Sequence, residues 1–254
     1  MLQDKQQFDG ALKALLQENS QIIAVWEGGS AATGYLDQYS DLDLELICED
    51  KAVEEVFKEI EIYLIENHGI ARKFRIPEPA WHGHSQAFYI LKNPTPPFYI
   101  DLLVIKRSSE NQFLEIDRHG NPVIWFDREN LIKPTRSDPE KIALACRTSY
   151  QTNLAMFDLS AIETEKQILR KNWIDAMTNY YGLIQRRLST MLNLKYRPAQ
   201  YDFGLRYAYR AYPRDVNDRL KRLLLISDFS ELENRYLEVK AWFNELAGEL
   251  TRYK

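Results

Sequence analysis

Apolar and polar positions change period several times along the first half of the chain. Phe8, Leu12, Leu15 and Leu16 fall at helical spacing within residues 5–17, and the run QIIAVWEGG that follows reads as a short buried strand ending in a glycine turn. In DLDLELI the period drops to two, so Asp41, Asp43 and Glu45 share one face of a strand and Leu42, Leu44 and Leu46 the other. Val53, Val56, Phe57, Ile60 and Leu64 restore the helical period up to Gly69, a stop signal. Three strand-like runs follow at 70–76, 86–91 and 98–105, the last two separated by KNPTPP, whose prolines forbid helix and central-strand pairing. QFLEID and PVIWFD, joined by RHGN, predict one more strand pair.

From Asp138 the pattern is helical throughout. SDPEK supplies an N-cap and a first-turn proline, and long helical patterns run from about 160 to 194 and from about 216 onward, with breaks near KYRPAQYDFG, YPRD and SDF. The texture changes within NLIKPTRS, residues 130–137. The expectation is an α+β protein with an N-terminal α/β domain over 1–133 and an all-helical C-terminal domain over 134–254. No internal repeat or low-complexity tract interrupts either part.

Composition narrows the class. With 45% hydrophobic and 28% charged residues the chain is of the soluble globular type. No run approaches the roughly 18 apolar residues of a membrane span, and MLQDKQQFDG lacks the basic and apolar regions of a signal peptide, so a cytoplasmic protein without a membrane partner is expected. Cys48 and Cys146 lie in separate apolar stretches and read as small buried residues rather than a bridge or a metal pair. The net charge of −4 hides an asymmetry: residues 1–110 carry 18 acids against 10 Lys and Arg, residues 166–222 carry 4 against 13. The basic segment is either an anion-collecting surface or a set of solvated helix faces. A pI near 5.7 argues against nucleic acid as the partner.

Candidate chemistry concentrates in EGGSAATGYLDQYSDLDLE, residues 27–45. A glycine turn after a strand, with Ser30 as cap of a following helix, presents backbone N–H groups to a phosphate oxygen. Asp41 and Asp43, two apart on a strand, point their carboxylates the same way and suit a hard cation such as Mg²⁺. Asp101, in FYIDLLVIK, is an acid in an otherwise apolar strand, and a neighbouring metal site would remove the cost of burying it. Three acids beside a phosphate-gripping turn are equipment for metal-assisted nucleotidyl transfer. Glu45, one pleat further in, reads as a supporting or ion-paired residue. His82 and His84 have no cysteine or acid at zinc-ligand spacing and read as loop residues. The aromatic-basic run KYRPAQYDFGLRYAYRAYPR fits either ring stacking on a nucleotide or ordinary helix packing. Of Lys166, Arg170 and Lys171, Lys171 is the candidate phosphate contact.

Gly29-Ser30, ten intervening residues, Asp41-Leu42-Asp43 and the later strand residue Asp101 resemble the nucleotidyltransferase superfamily that includes DNA polymerase β and the antibiotic adenylyltransferases. The resemblance is specific over residues 22–47 and extends to about 127. It implies a mixed β-sheet flanked by helices, with an appended all-α bundle as in the aminoglycoside- and lincosamide-type enzymes. It assigns Gly29 and Ser30 to the triphosphate, Asp41 and Asp43 to two Mg²⁺ ions, and Asp101 to the third carboxylate, as metal ligand or general base. The implied reaction moves a nucleoside monophosphate, AMP from ATP or its counterpart from another NTP, onto a hydroxyl of a small molecule, with antibiotic resistance among the implied roles. A silent or regulatory nucleotide-binding module, or an enzyme that nucleotidylates protein or RNA, is the alternative. The basic segment fits a neutral or anionic acceptor better than a polycationic aminoglycoside.

Overall fold

The computed structural model of the chain describes residues 2–92 and 96–254, with side chains from residue 7 onward. It divides into two compact units, Met1–Arg136 and Ser137–Lys254. Half of the KNPTPP turn, residues 93–95, lies outside the described residues.

The first unit runs α1 (Leu2–Glu18), β1 (Ile22–Glu27), α2 (Gly29–Ala32), β2 (Leu42–Cys48), α3 (Val53–Asn67), β3 (Ile70–Arg75), β4 (Ser85–Leu91), β5 (Ile100–Lys106), α4 (Ile116–His119) and β6 (Val123–Asp127). The strands form one mixed sheet in the order β3-β4-β5-β2-β1-β6, in which β2 and β5 pair in parallel and the other neighbours antiparallel. A parallel pair needs a crossover, and α3 with the β3–β4 hairpin supplies it. The apolar stripe of α3 (Val53, Val56, Phe57, Ile60, Leu64) packs with α1 residues Leu12 and Leu16 against Leu42, Leu44 and Leu46 of β2. Gly69, at φ +71°, ends α3, and its amide donates to Leu64 O at 2.8 Å. The opposite sheet face carries a smaller cluster that includes Ala24, Trp26, Ile47, Leu103 and Ile105, covered by Leu114 and Ile132.

QFLEID does not form a strand. Leu114 is drawn into that smaller cluster, Glu115 makes a single parallel bridge to Thr135, and the chain turns into α4. The chain then runs beside α2, where the Asn121 amide donates to Ala32 O at 2.9 Å. PVIWFD does become a strand, β6, but it pairs with β1. The Asp127 carboxylate accepts from the Leu131 and Ile132 amides at 3.0 and 2.8 Å and turns the chain away after it.

The second unit consists of α5 (Pro139–Leu169), α6 (Trp173–Gly182), a π-helical turn (Leu183–Leu188), α7 (Ser189–Tyr196), α8 (Ala208–Ala211), α9 (Arg214–Leu223) and α10 (Phe229–Glu249), with 3₁₀ turns at Pro198–Gln200 and Thr251–Tyr253. Asp138 caps α5 by accepting from the Glu140 and Lys141 amides. The helical pattern read as continuous from 160 to 194 is broken after Leu169, where Lys171 adopts a left-handed conformation at φ +57°. The core is stitched across helices by Phe157 stacked on Phe243 at 3.6 Å between centroids, and by Tyr180 and Tyr236 hydroxyls donating to Leu223 O and Ala161 O. Both cysteines are buried and free. Among the described residues no helix is long and apolar enough to cross a membrane.

Candidate active site

β1 delivers the chain into a turn whose shape depends on two glycines. Gly29 sits at φ +50°, and a Cβ there would lie 1.8 Å from Asp43 Oδ2; a Cβ on Gly28 would lie 2.7 Å from Glu45 Oε1. Only glycine lets this backbone press onto the acidic strand. The turn is tied to β2 by the Gly28 amide donating to Asp43 O at 2.9 Å. Ser30 is not the cap anticipated from the sequence. Gly28 occupies that position, α2 is a single turn, and Ser30 lies inside it. The Ser30 Oγ is buried and has no hydrogen-bond partner. The first amides of a helical turn likewise find no acceptor in the helix itself.

Parallel pairing of β2 with β5 sets Asp43 directly opposite Asp101. The two carboxylates therefore project side by side from the face opposite α1 and α3. Asp41 stands one residue ahead of β2, and its Oδ1 accepts from the Tyr99 amide at 3.0 Å while Leu42 N donates to Tyr99 O at 3.1 Å. The structure thus gathers Gly29, Ser30, Asp41, Asp43 and Asp101 at one end of the β1-β2-β5 triplet. It also adds one residue that the sequence pattern does not single out. Gln86 of β4 donates from Nε2 to Asp101 Oδ1 at 2.6 Å and fixes that carboxylate's rotation. Its one sequence signal is a polar residue alternating with Phe88 and Ile90 in a strand.

Glu45, opposite Trp26, is the deepest of the acids on this face. Burial pushes it up to about 8, the Trp26 indole hydrogen bond opposes this, and Asp43 and Asp101 add to the rise. The Tyr99 phenol is pushed up to about 12, first by burial and then by the charges of Asp41, Asp43 and Asp101. Among the described residues no group of three or more His, Cys, Asp and Glu side chains stands where it could hold a metal ion. The donor set is instead carboxylates alone, beside a turn with an unpartnered buried hydroxyl. That fits a hard divalent cation that completes its shell with substrate phosphates.

The remaining candidates have partners of their own. The Lys171 ammonium is 2.8 Å from Glu233 and 5.0 Å from the centroid of Phe229, both within the second unit. In the aromatic-basic run, Arg197 Nε donates to Asn193 Oδ1 at 2.6 Å and its guanidinium to Arg206 O and Gly204 O, while the Tyr212 hydroxyl donates to the same Asn193 oxygen at 2.5 Å. This part of the run is a packing device. His82 and His84 stack at 5.6 Å, and burial, with His82 adding to it, holds His84 below its ordinary value.

No known family model matches the chain, and no curated protein matches it in sequence. Among solved structures it is similar to an aminoglycoside 6-adenyltransferase from Bacillus subtilis, at 13% identity and a TM-score of 0.39, over 97% of this chain and 89% of that one. It is similar to a nucleotidyltransferase-like protein from Exiguobacterium sibiricum, at 12% identity and a TM-score of 0.41, over 99% and 77%. A third is the STING-associated CdnE c-di-GMP synthase from Capnocytophaga granulosa, at 15% identity and a TM-score of 0.30, over 96% and 81%. These three solved structures are members of the nucleotidyltransferase superfamily.

Proposed function

We propose that the chain is a nucleotidyltransferase that moves a nucleoside monophosphate, AMP from ATP or its counterpart from another NTP, onto a hydroxyl of a small molecule and releases pyrophosphate. The observation that carries this reading is the register of Asp43 with Asp101 beside a turn in which Gly29 has no room for a Cβ and Ser30 keeps a buried, unpartnered hydroxyl. Asp41, Asp43 and Asp101 would hold two Mg²⁺ ions, which when bound neutralise charge on the phosphate and on the attacking oxygen. The amides at the start of α2 and the Ser30 hydroxyl grip the triphosphate. Gln86 holds the Asp101 carboxylate in place, so that it orients the acceptor hydroxyl and takes up its proton. The acceptor oxygen bonds to the α-phosphorus as the bond from that phosphorus to the bridging oxygen of the β-phosphate breaks, and pyrophosphate leaves. Lys171, the candidate phosphate contact, is paired with Glu233 and is given no role in this reading.

The test is pyrophosphate release from ATP and Mg²⁺ over a panel of hydroxyl acceptors, with thermal stabilisation by a non-hydrolysable ATP analogue measured in parallel. Asp43→Asn is expected to lower release by about 10²- to 10³-fold while the protein stays folded. Analogue binding without release by the wild type, unchanged in Asp43→Asn, would leave a silent nucleotide-binding module as the answer.

A further inference from the structure

The open sheet face continues past the carboxylates. Register carries Asp43 to Asp101, Asp101 to Phe88 and Phe88 to Phe74, so one row of side chains crosses four strands on the face away from α1 and α3. The Phe74 and Phe88 rings lie nearly parallel, at 20° and 6.4 Å between centroids, and Tyr99 meets Phe88 edge-on at 6.0 Å. None of these three rings belongs to either core cluster of the unit. Phe74 is 59% exposed, with Ile90 and Tyr99 also open to solvent. An exposed ring on the edge strand β3, stacked on a half-buried ring of β4, does little for folding and invites edge pairing. Adjacent strands are about 4.8 Å apart, which puts Phe88 about one ring's width, and Phe74 about two, from Asp101. Arg72, opposite Ile90, shares the face, and β3 and β4 place no carboxylate on it. The basic side chains on the other face are instead paired, Lys73 with Glu61 of α3 and Arg75 with Glu54 of α3 and Glu78.

We propose that the Phe74–Phe88 face is the acceptor subsite and that it takes a neutral or anionic alcohol bearing a flat aromatic ring. The ring lies on the two phenylalanines, and its hydroxyl, about one ring away, is delivered to Asp101. The role of Asp101 in this proposal rests on the reading given above. A polycationic, ring-poor acceptor finds no counter-charge on β3 and β4, and Arg72 repels it.

Adenosine is a suitable aromatic probe, with ribose and kanamycin as acceptors that lack an aromatic ring, and binding is read by calorimetry without ATP, with Mg²⁺ and about 0.15 M salt present to mask the neighbouring carboxylates. Adenosine is expected to bind the wild type and the other two not. Phe74→Ala, at an exposed position, is expected to weaken adenosine by about 5- to 100-fold, Phe74→Tyr to restore it, and neither to change thermal stabilisation by a non-hydrolysable ATP analogue. The proposal is overturned if adenosine does not bind, if Phe74→Ala binds it as well as the wild type, or if ribose or kanamycin binds as tightly. It is also overturned if Phe74→Ala weakens the ATP analogue as much as adenosine, since the face then belongs to the nucleotide. Failure of the catalytic reading is separate. It shows as absent pyrophosphate release and an inert Asp43→Asn, whatever adenosine does.

Discussion

In the second unit Arg219 reaches Glu238 and Glu245, Lys195 reaches Glu249, and Lys171 reaches Glu233. Acids of α10 thus pair with Lys171, Lys195, Arg219 and Arg222 of the basic segment 166–222. In the first unit Asp43 and Asp101 stand in register with Asp41 nearby, and their charges add to burial in pushing Tyr99 up to about 12, as those of Asp43 and Asp101 do for Glu45, pushed up to about 8. Pairing is what a helical bundle does with charge when nothing else is asked of it. Concentrating carboxylates of one sign works against folding, and the proposed function gives the reason: a cation and a phosphate chain to be received. The lesson is that the formal charge of a segment misleads until its local partners are known. The segment that the sequence leaves open as an anion-collecting surface or a set of solvated helix faces has part of its charge paired by α10.

The sharpest way to probe the concentrated charge is to remove Glu45's share. Because its folded-state value is about 8 against an ordinary 4.5, the folded protein holds a proton there that the unfolded chain has released. Stability from this group is fully present below about pH 4.5 and declines as pH rises through 8. Glu45→Gln should therefore match the wild type near pH 4.5 and exceed it by up to about 4 kcal/mol at pH 9. Urea unfolding in EDTA at both pH values checks this, and an equal gap at the two would sink it. Gly29→Ala comes next. Its φ of +50° and the 1.8 Å approach to Asp43 Oδ2 predict a loss of about 1–3 kcal/mol. Pyrophosphate release should fall further than that loss explains, because the methyl displaces the Asp43 carboxylate.

The difference between the two regions also explains what the sequence disclosed. The acidic face of β2, the five buried positions of α3, the Gly69 stop and the Asp138 cap were readable because each follows from residues within a few positions of one another. The juxtaposition of Asp43 with Asp101 was readable only as an expectation, because it depends on parallel pairing across 58 residues. Gln86 escaped notice for the same reason, since its bond to Asp101 is set by the β4–β5 register. The fate of QFLEID turned on a distant cluster claiming Leu114. The end of α5 was hidden because α5 and α6 share an apolar period and the stop at Lys171 uses neither glycine nor proline. Ser30 looked like a cap by residue type, but the close approach of the turn to β2 moved the cap to Gly28.

The smallest effect is expected where charge is already paired. Lys171 is largely exposed, as is Glu233, and an ion pair of this kind is worth under about 1 kcal/mol. Lys171→Met should therefore shift the unfolding midpoint only slightly, with the aliphatic chain still able to cover Phe229. If Lys171 serves only the second unit, the KM for ATP is unchanged and the variant behaves like Glu233→Gln. A rise in KM for ATP in Lys171→Met, absent in Glu233→Gln, would mean that the lysine leaves its glutamate for the triphosphate during turnover. The contrast between a self-paired unit and a receiving one would then have to be redrawn at that residue.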